Sequence, residues 1–479
     1  MINDTIVAPA TIPGTGAISI IRVSGSQSLS LSNAIIQLKN GKCSEKEGYT
    51  IHFGSIFHTD GALLDEVLVS IFRAPHSYTG EDSVEISCHA SSYIAQEIVS
   101  RYISSGARMA EPGEFTRRAY LNGKMDLAQA EAVADVISAT TEASHRVSIS
   151  QLKGGFSKEL TILRNELLDM ASLLELELDF SEEEVEFASR DKLLRLLSDT
   201  KQHVDKLASS FRLGNMIKNG VPVAIAGAVN AGKSTLLNAL VGEDRAIVSP
   251  VEGTTRDTIE EPVNIGGILF RFIDTAGIRD TSELVEKMGI DRTFRKISEA
   301  RIVLGVLDST APDELLKEQI SEISSHVDFA EQQLILILNK VDLLEEGALN
   351  KKVNTTNLIV SSIGNKVDTI CLSAKCQNGV DTLCSMLEKS QTGLLDQSSA
   401  GAVFVTNVRH FDALNKASSA LENARTSLLS GIPSDLVAED LRTALASVNL
   451  ILGSDLLSGQ TIDPETILHH IFKNHCIGK

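Results

Sequence analysis

The sequence predicts a multi-domain chain: an α+β N-terminal domain, an α-helical domain that is discontinuous, and an α/β phosphate-loop module inserted into it. Three observations carry this reading. At 479 residues the chain is long enough for about three domains of ~150 residues each. Short apolar runs at 221–226, 268–273, 301–307 and 334–338 alternate with helix-like segments, the pattern of a parallel sheet covered on both faces. The stretches on either side of those runs both read as helical, so a module inserted into one helical domain is the economical organisation.

Composition narrows the class. With 43% apolar and 22% charged residues the chain can bury a sizeable core and is not disordered by composition. Lys and Arg total 44 against 63 Asp and Glu, a formal charge of −19, which argues against gripping nucleic acid over the whole surface. Runs such as 334–338 fall far short of the roughly 20 apolar residues that span a bilayer, and Met1-Ile2-Asn3-Asp4 is not a basic, apolar leader. A cytoplasmic protein without membrane attachment is the expectation. The six cysteines (Cys43, Cys88, Cys371, Cys376, Cys384, Cys476) lack paired metal-ligand spacing and read as reduced, buried thiols. The final Cys476-Ile477-Gly478-Lys479 superficially resembles a prenylation box, but a terminal Lys is not a usual acceptor there.

The elements follow in order. Residues 1–122 form the α+β domain, with β-type runs at 16–24, 66–73 and 83–87 separated by Pro and Gly. Residues 123–216 form the first helical part; Asp126 reads as an N-cap before an Ala- and Leu-rich run, and Gly154-Gly155 as a break. An acidic stretch from Glu175 to Glu186 reads as a solvated helix face and turn. The inserted module spans 217–395, and 396–479 returns to helix before the short tail.

The module carries the chemistry. Gly227 to Ser234 fits G-x-x-x-x-G-K-[ST], after an apolar strand and before a helix-forming run. In such a loop the backbone amides around Asn230, Ala231, Gly232 and Thr235 cradle phosphate oxygens, Lys233 reaches the β- and γ-phosphates, and the Ser234 hydroxyl ligates Mg²⁺. Asp274-Thr275-Ala276-Gly277 closes the second strand, where a carboxylate can hold the Mg²⁺ hydration shell and the Gly277 backbone can approach the γ-phosphate. Asn339-Lys340-Val341-Asp342 closes the fourth. The Asp342 carboxylate can accept from both N1–H and the 2-amino group of guanine, a donor pair adenine lacks. Asn339 and Lys340 would brace that loop, and a backbone amide of Ser373-Ala374-Lys375 would meet the guanine oxygen. Four such motifs in order, each at a strand end, predict a module that binds and hydrolyses GTP.

The loop 243–257 holds Gly253-Thr254-Thr255-Arg256-Asp257 and is the expected switch, with Thr255 on Mg²⁺. Ile278 stands where signalling GTPases carry a Gln that orients the attacking water. A polar group must come from elsewhere, and Arg279, Asp280, Glu283 and Glu286 are the nearby candidates. No residue in the sequence identifies itself as the cation that stabilises the developing charge; a partner, a second copy or a metal ion must supply it.

The chain as a whole resembles the tRNA-modification GTPases of the MnmE (TrmE) type. The resemblance rests on Gly80-Glu81-Asp82, on the run from Pro112 to Ala119, on Leu121 to Ala132, on the inserted module, on Leu436 to Arg442 and on the terminal Cys476-Ile477-Gly478-Lys479. It implies a homodimer that works with the FAD-dependent partner MnmG (GidA) in a hetero-oligomer, building a carboxymethylaminomethyl-type group on carbon 5 of the wobble uridine of tRNA. It further implies a tetrahydrofolate derivative (5,10-methylene or 5-formyl form) as one-carbon donor, held by Arg22, Glu81, Lys124 and Lys479. In the module it implies K⁺ as the missing cation, with Asn230, Ser249, Val251 and Thr254 as ligands, and Glu286 as the catalytic acid acting through a bridging water. Cys476 matches the family's candidate nucleophile for carbon 6 of the uridine, with a structural or folate-pocket thiol as the alternative. The competing functional reading is a ribosome-assembly or regulatory RNA-binding GTPase, but such proteins attach a basic domain where this chain has an acidic helical one.

Overall fold

The computed structural model describes residues 4–179, 190–245, 260–274, 297–364, 366–391, 403–454 and 478. Contacts group the chain into two compact units. One comprises residues 1–138, 148–208 and 409–479, the other residues 139–147 and 209–408.

The first unit opens with a seven-stranded sheet: β1 (Ile6–Pro9), β2 (Ile18–Ser24), β3 (Ile36–Leu38), β4 (Thr50–Phe57), β5 (Leu63–Phe72), β6 (Ser83–His89) and β7 (Arg108–Met109). Their order is β3-β4-β5-β6-β2-β1-β7, antiparallel except for β1 beside β7. Period-2 alternation sends Val67, Val69 and Ile71 of β5, Val84 and Ile86 of β6, and Ile21 and Val23 of β2 into one core. Helices α1 (Ser28–Ile35) and α2 (Ser92–Ser104) close that face with Leu29, Ile35, Ile98, Val99 and Tyr102. The expected runs correspond to β2, β5 and β6. β4 had no inward apolar pattern to reveal it, because its Ile51 and Phe53 lie on the open face, 68% and 46% exposed.

The same unit holds α3 (Glu114–Leu121), α4 (Leu127–Ser138), α6 (Gly155–Asp179), nearly all of α7 (Arg190–Ser209), and nearly all of a helix at Val408–Leu429 followed by one at Ser434–Leu452. Their buried residues repeat every three or four positions. In α6 they are Phe156, Leu160, Leu163, Leu167, Met170 and Leu174; in helix 434–452 they are Val437, Leu441, Ala444, Val448 and Ile451. These two helices pack against each other, so the seam is the narrow apolar stripe of coiled-coil-like pairing. The expected break before α6 is present, with Gly154 at φ +81°.

The second unit contains α5 (Glu142–Leu152) in part, α8 (Phe211–Asn219), and a six-stranded sheet of β8 (Val221–Ala226), β9 (Glu260–Ile265), β10 (Ile268–Asp274), β11 (Ile302–Asp308), β12 (Gln333–Asn339) and β13 (Val367–Cys371). The order is β13-β12-β11-β8-β10-β9, parallel except for the β9 edge. Successive residues of β11 face opposite cores. Leu304 and Val306 join Leu236, Leu240 and Leu383 on one side; Val303 and Leu307 join Leu316, Ile320 and Ile323 on the other. Burial on both faces is why these strands read as continuous apolar runs. β9 is absent from that reading because Glu260, Glu261, Pro262 and Asn264 break its apolar run.

Candidate functional site

Strand order in the second unit reverses between β8 and β11, and in open α/β sheets ligands bind at the carboxyl ends of the strands at such a switch point. Loop 227–232 leaves β8 there and leads into α9 (Lys233–Arg245). Asn230 takes the left-handed conformation at φ +63° and Gly232 a φ of +97°. A Cβ on Gly232 would sit 2.2 Å from Asn339 Nδ2, so backbone strain and space both demand glycine. Ala231 is buried, whereas Ser234 and Thr235 are exposed in the first turn of α9, where backbone amides and the helix dipole favour an anion. Lys233 Nζ curls back over its own loop and donates to the carbonyls of Gly227 and Ala228, both at 2.8 Å.

Asn339 ends β12 and binds two other loops together. Its Nδ2 donates to Ala231 O at 2.8 Å, and its Oδ1 accepts from the Ala374 amide at 3.0 Å. The phosphate loop, the 339–342 loop and the 373–375 loop are thus fixed to one buried side chain. Of the amides of 373–375, one of which was expected to meet the base, that of Ala374 is engaged by Asn339. Lys340 stands in the left-handed conformation, and its Nζ pairs with Asp308 Oδ2 at 2.7 Å. Burial would raise the Asp308 carboxyl, but the Lys340 ammonium and Thr310 outweigh it and hold the group below its ordinary value. Ser373 is buried with its amide on Asn378 O, while Asp342 and Lys375 are exposed.

The backbone of Asp274 ends β10, beside β8. Ser249, Val251, Thr254, Thr255, Thr275, Ala276, Gly277 and Glu286 lie outside the described residues, as do Cys476 and Lys479. Among the described residues no cluster of His, Cys, Asp and Glu has the make-up of a metal site, and no helix is long and apolar enough to cross a membrane. Of the cysteines, Cys43, Cys88 and Cys384 are buried, as expected, but Cys371 is half-buried and Cys376 exposed. Burial pushes the Cys43 and Cys88 thiols up to about 11, which keeps them protonated and unreactive.

A second polar cluster lies on the N-terminal sheet. Arg22 and Ser24 project from the same face of β2. Arg22 Nε bonds Glu85 Oε1 at 2.8 Å, and its guanidinium carbon lies 5.3 Å from the Tyr78 ring centroid and 5.6 Å from that of Phe115. Its Nη1 donates to Gly478 O at 3.1 Å, which places Gly478 beside this strand. Gly478 has φ +99°, and a Cβ there would meet Pro9 O at 2.2 Å. Glu81 accepts from Ser24 Oγ at 2.7 Å and from Arg118 Nη1 at 3.2 Å. The Lys124 stem passes Gly80, and its Nζ donates to Pro75 O. The structure therefore gathers Arg22, Glu81, Gly478 and the stem of Lys124 in one domain.

Sequence reasoning missed what holds Glu81. Arg118 is 1% exposed and also bonds Asp4 Oδ1 at 2.7 Å and Glu114 Oε1 at 3.0 Å. Burial would raise the Glu114 carboxyl, but bonds from Arg108, the Glu111 amide and Arg118 keep it below its ordinary value. The i,i+4 spacing of Glu114 and Arg118 was the available signal.

The switch-point loop, the base-side loops at the ends of β12 and β13, and the strand order together define a Ras-like P-loop GTPase module. Two family models match the chain: "GTP-binding protein TrmE N-terminus" over residues 5–124 and "MnmE helical domain" over residues 127–476. The chain is 48% identical to the tRNA modification GTPase MnmE of Bacteroides thetaiotaomicron, covering 100% of both chains. It is 46% identical to that of Flavobacterium johnsoniae and 45% to that of Porphyromonas gingivalis, again over 100% of this chain and 100% and 98% of theirs. The chain belongs to the MnmE (TrmE) family and is a GTPase acting in tRNA modification.

Proposed function

We propose that GTP bound with Mg²⁺ in the module is hydrolysed with the help of K⁺, and that this drives formation of a carboxymethylaminomethyl-type group at carbon 5 of the wobble uridine. The partner is an FAD-carrying MnmG (GidA) protein, the working form contains a homodimer, and the setting is the cytoplasm. The observation that carries the nucleotide half is the double engagement of Asn339, which fixes the spacing between phosphate loop and base loops. Lys233 exchanges two neutral carbonyl acceptors for β- and γ-phosphate oxygens, a stronger charge-assisted pairing. Asn230, Ala231, Gly232, Ser234 and Thr235 supply amides to the phosphates, and Asp342 reads the guanine edge while Asn339, Lys340 and the 373–375 loop enclose it.

The exposed Ser234 hydroxyl in the first turn of α9 is a hard oxygen donor and fits Mg²⁺, with Thr255 as its companion and Asp274 through water. Bound there, Mg²⁺ and K⁺ would supply positive charge against that on the phosphates. Asn230, Ser249, Val251 and Thr254 form the K⁺ set. Glu286 acts on the attacking water through a bridging water, a role Ile278 cannot fill.

Arg22, Glu81, Lys124 and Lys479 hold the folate donor. The fit is chemical: Glu81 oxygens accept from pterin N–H groups, cations attract the glutamate tail, and Tyr78 and Phe115 offer aromatic surface beside Arg22. Cys476 is the candidate nucleophile or a thiol of that pocket. The test is nucleoside analysis of tRNA from cells lacking the gene, complemented with the native chain or with Glu81→Gln. Loss of the carbon-5 group without complementation, and its poor recovery with Glu81→Gln, is expected. Fully modified uridine in the deletion strain would refute the reading.

A further inference from the structure

Two polar groups have no part in the chemistry above: the half-buried Arg409 guanidinium and the buried Tyr120 hydroxyl. Arg409 is the first residue of its unit after the chain leaves the nucleotide unit at Val408. Its Nη2 pairs with Glu131 Oε1 at 3.0 Å, and the neighbouring His410 Nε2 reaches Glu131 Oε2 at 2.7 Å. Glu131 lies on α4, which ends at Ser138, where the chain crosses into the nucleotide unit. The ion pair thus joins two segments that each run directly into that unit.

Arg409 also caps another helix. Its Nη1 donates to Leu450 O at 2.7 Å and its Nη2 to Ile451 O at 3.4 Å, in the last turn of helix 434–452, where a cation meets the negative end of the dipole. That helix stops at Gly453, whose carbonyl accepts from Tyr120 Oη at 2.5 Å. Tyr120 is 1% exposed and stands on α3, two residues beyond Arg118, the residue that grips Glu81. Every link is a hydrogen bond or one rigid helix, and the Tyr120 bond is fully buried. Breaking such a bond leaves a buried donor and acceptor unmatched, which disfavours rupture relative to a small joint movement.

We propose that Arg409, Gly453 and Tyr120 form a relay through which the nucleotide state resets the Glu81 carboxylate, making Arg409 and Tyr120 positioning residues for the one-carbon donor. The far end of the relay rests on the folate reading given above. Coupling of this kind is a ratio of affinities, typically 5- to 150-fold, and is reciprocal between the two ligands.

The experiment is calorimetric titration of the full chain with 5-formyltetrahydrofolate in KCl, with GDP and again with GDP plus aluminium fluoride. The native chain should show affinities at least about fivefold apart. In Tyr120→Phe, which removes only the hydroxyl, the ratio should collapse to near one while GTP turnover stays within about twofold. Tyr102→Phe removes another buried hydroxyl of the same unit, on Ser32, and should keep the native ratio. Equal affinities in the native chain, an unchanged ratio in Tyr120→Phe, or a collapse in Tyr102→Phe as well would each overturn the relay. If the folate derivative does not bind in either state, the folate reading fails, and hydrogen exchange at the amides of 114–121 decides the relay. Protection there should depend on nucleotide state in the native chain and not in Tyr120→Phe; equal protection in the native chain overturns it.

Discussion

Asn339 and Asp342 lie three residues apart and do opposite work. The first is buried and fastens loops to one another; the second stands exposed where a base edge can meet it. Asp342→Asn replaces one acceptor oxygen by a donor, so guanine loses a matched pair while xanthine, with an oxygen at position 2, gains one. Binding of GTP should weaken by ~100-fold or more and xanthosine triphosphate should become the preferred ligand, measured by competitive displacement. Unchanged guanine preference would remove Asp342 from base recognition. Glu131 gives a pH-dependent prediction. Burial would raise its carboxyl, but His410 and Arg409 bring it down to about 2, from an ordinary 4.5. A lowered folded pKa means stabilisation present above about pH 4.5 and lost as pH falls towards 2. Glu131→Gln should cost about 3–5 kcal/mol at neutral pH by urea unfolding, with the gap to the native chain narrowing below pH 4.5. A gap that stays constant across that range would show that the charge on Glu131 contributes nothing.

Elements were legible to different degrees, and the reason is burial geometry. Strands β8, β10, β11 and β12 are covered on both faces, so nearly every residue is apolar and the runs announce themselves. β4 has apolar residues on its open face, and β9, at a sheet edge, carries Glu260, Glu261 and Pro262 ahead of its buried Val263 and Ile265, so neither reads as a continuous apolar run. The nucleotide motifs were legible because phosphate and guanine impose fixed residue types at fixed spacing. The Asn339 brace to Ala374 and the Arg118 grip on Glu81 were not, since both depend on loops brought together by the sheet rather than by sequence distance. At the helix scale, Leu441 sits fully buried on the seam that packs against α6. Leu441→Ala should destabilise the chain by about 2–5 kcal/mol in chemical denaturation while GTP affinity stays near native. A loss below about 0.5 kcal/mol would mean that the seam is loosely filled.

At the scale of the whole molecule, the acidic chain and its GTPase module divide the labour. A charge of −19 leaves little surface for general phosphate attraction. The function proposed above places K⁺ beside the phosphates as a further cation, next to Lys233. Replacing K⁺ by Na⁺ at equal ionic strength should therefore slow hydrolysis at least ~10-fold with little change in GDP affinity, read by phosphate release. Equal rates in the two salts would count against the Asn230 set.

The seam between α6 and helix 434–452 has a consequence for how the protein is made. Roughly 250 residues separate its two halves, among them residues 209–408 of the nucleotide unit. At roughly 5–20 residues per second of synthesis, α6 leaves the ribosome with its leucine stripe uncovered for some tens of seconds. During that interval the nucleotide unit can complete its sheet, because β8 to β13 are all translated before the missing helix appears. The frame is thus the last part to mature although its first helices are made early, and nascent chains stalled short of residue 434 should be the species that chaperones capture.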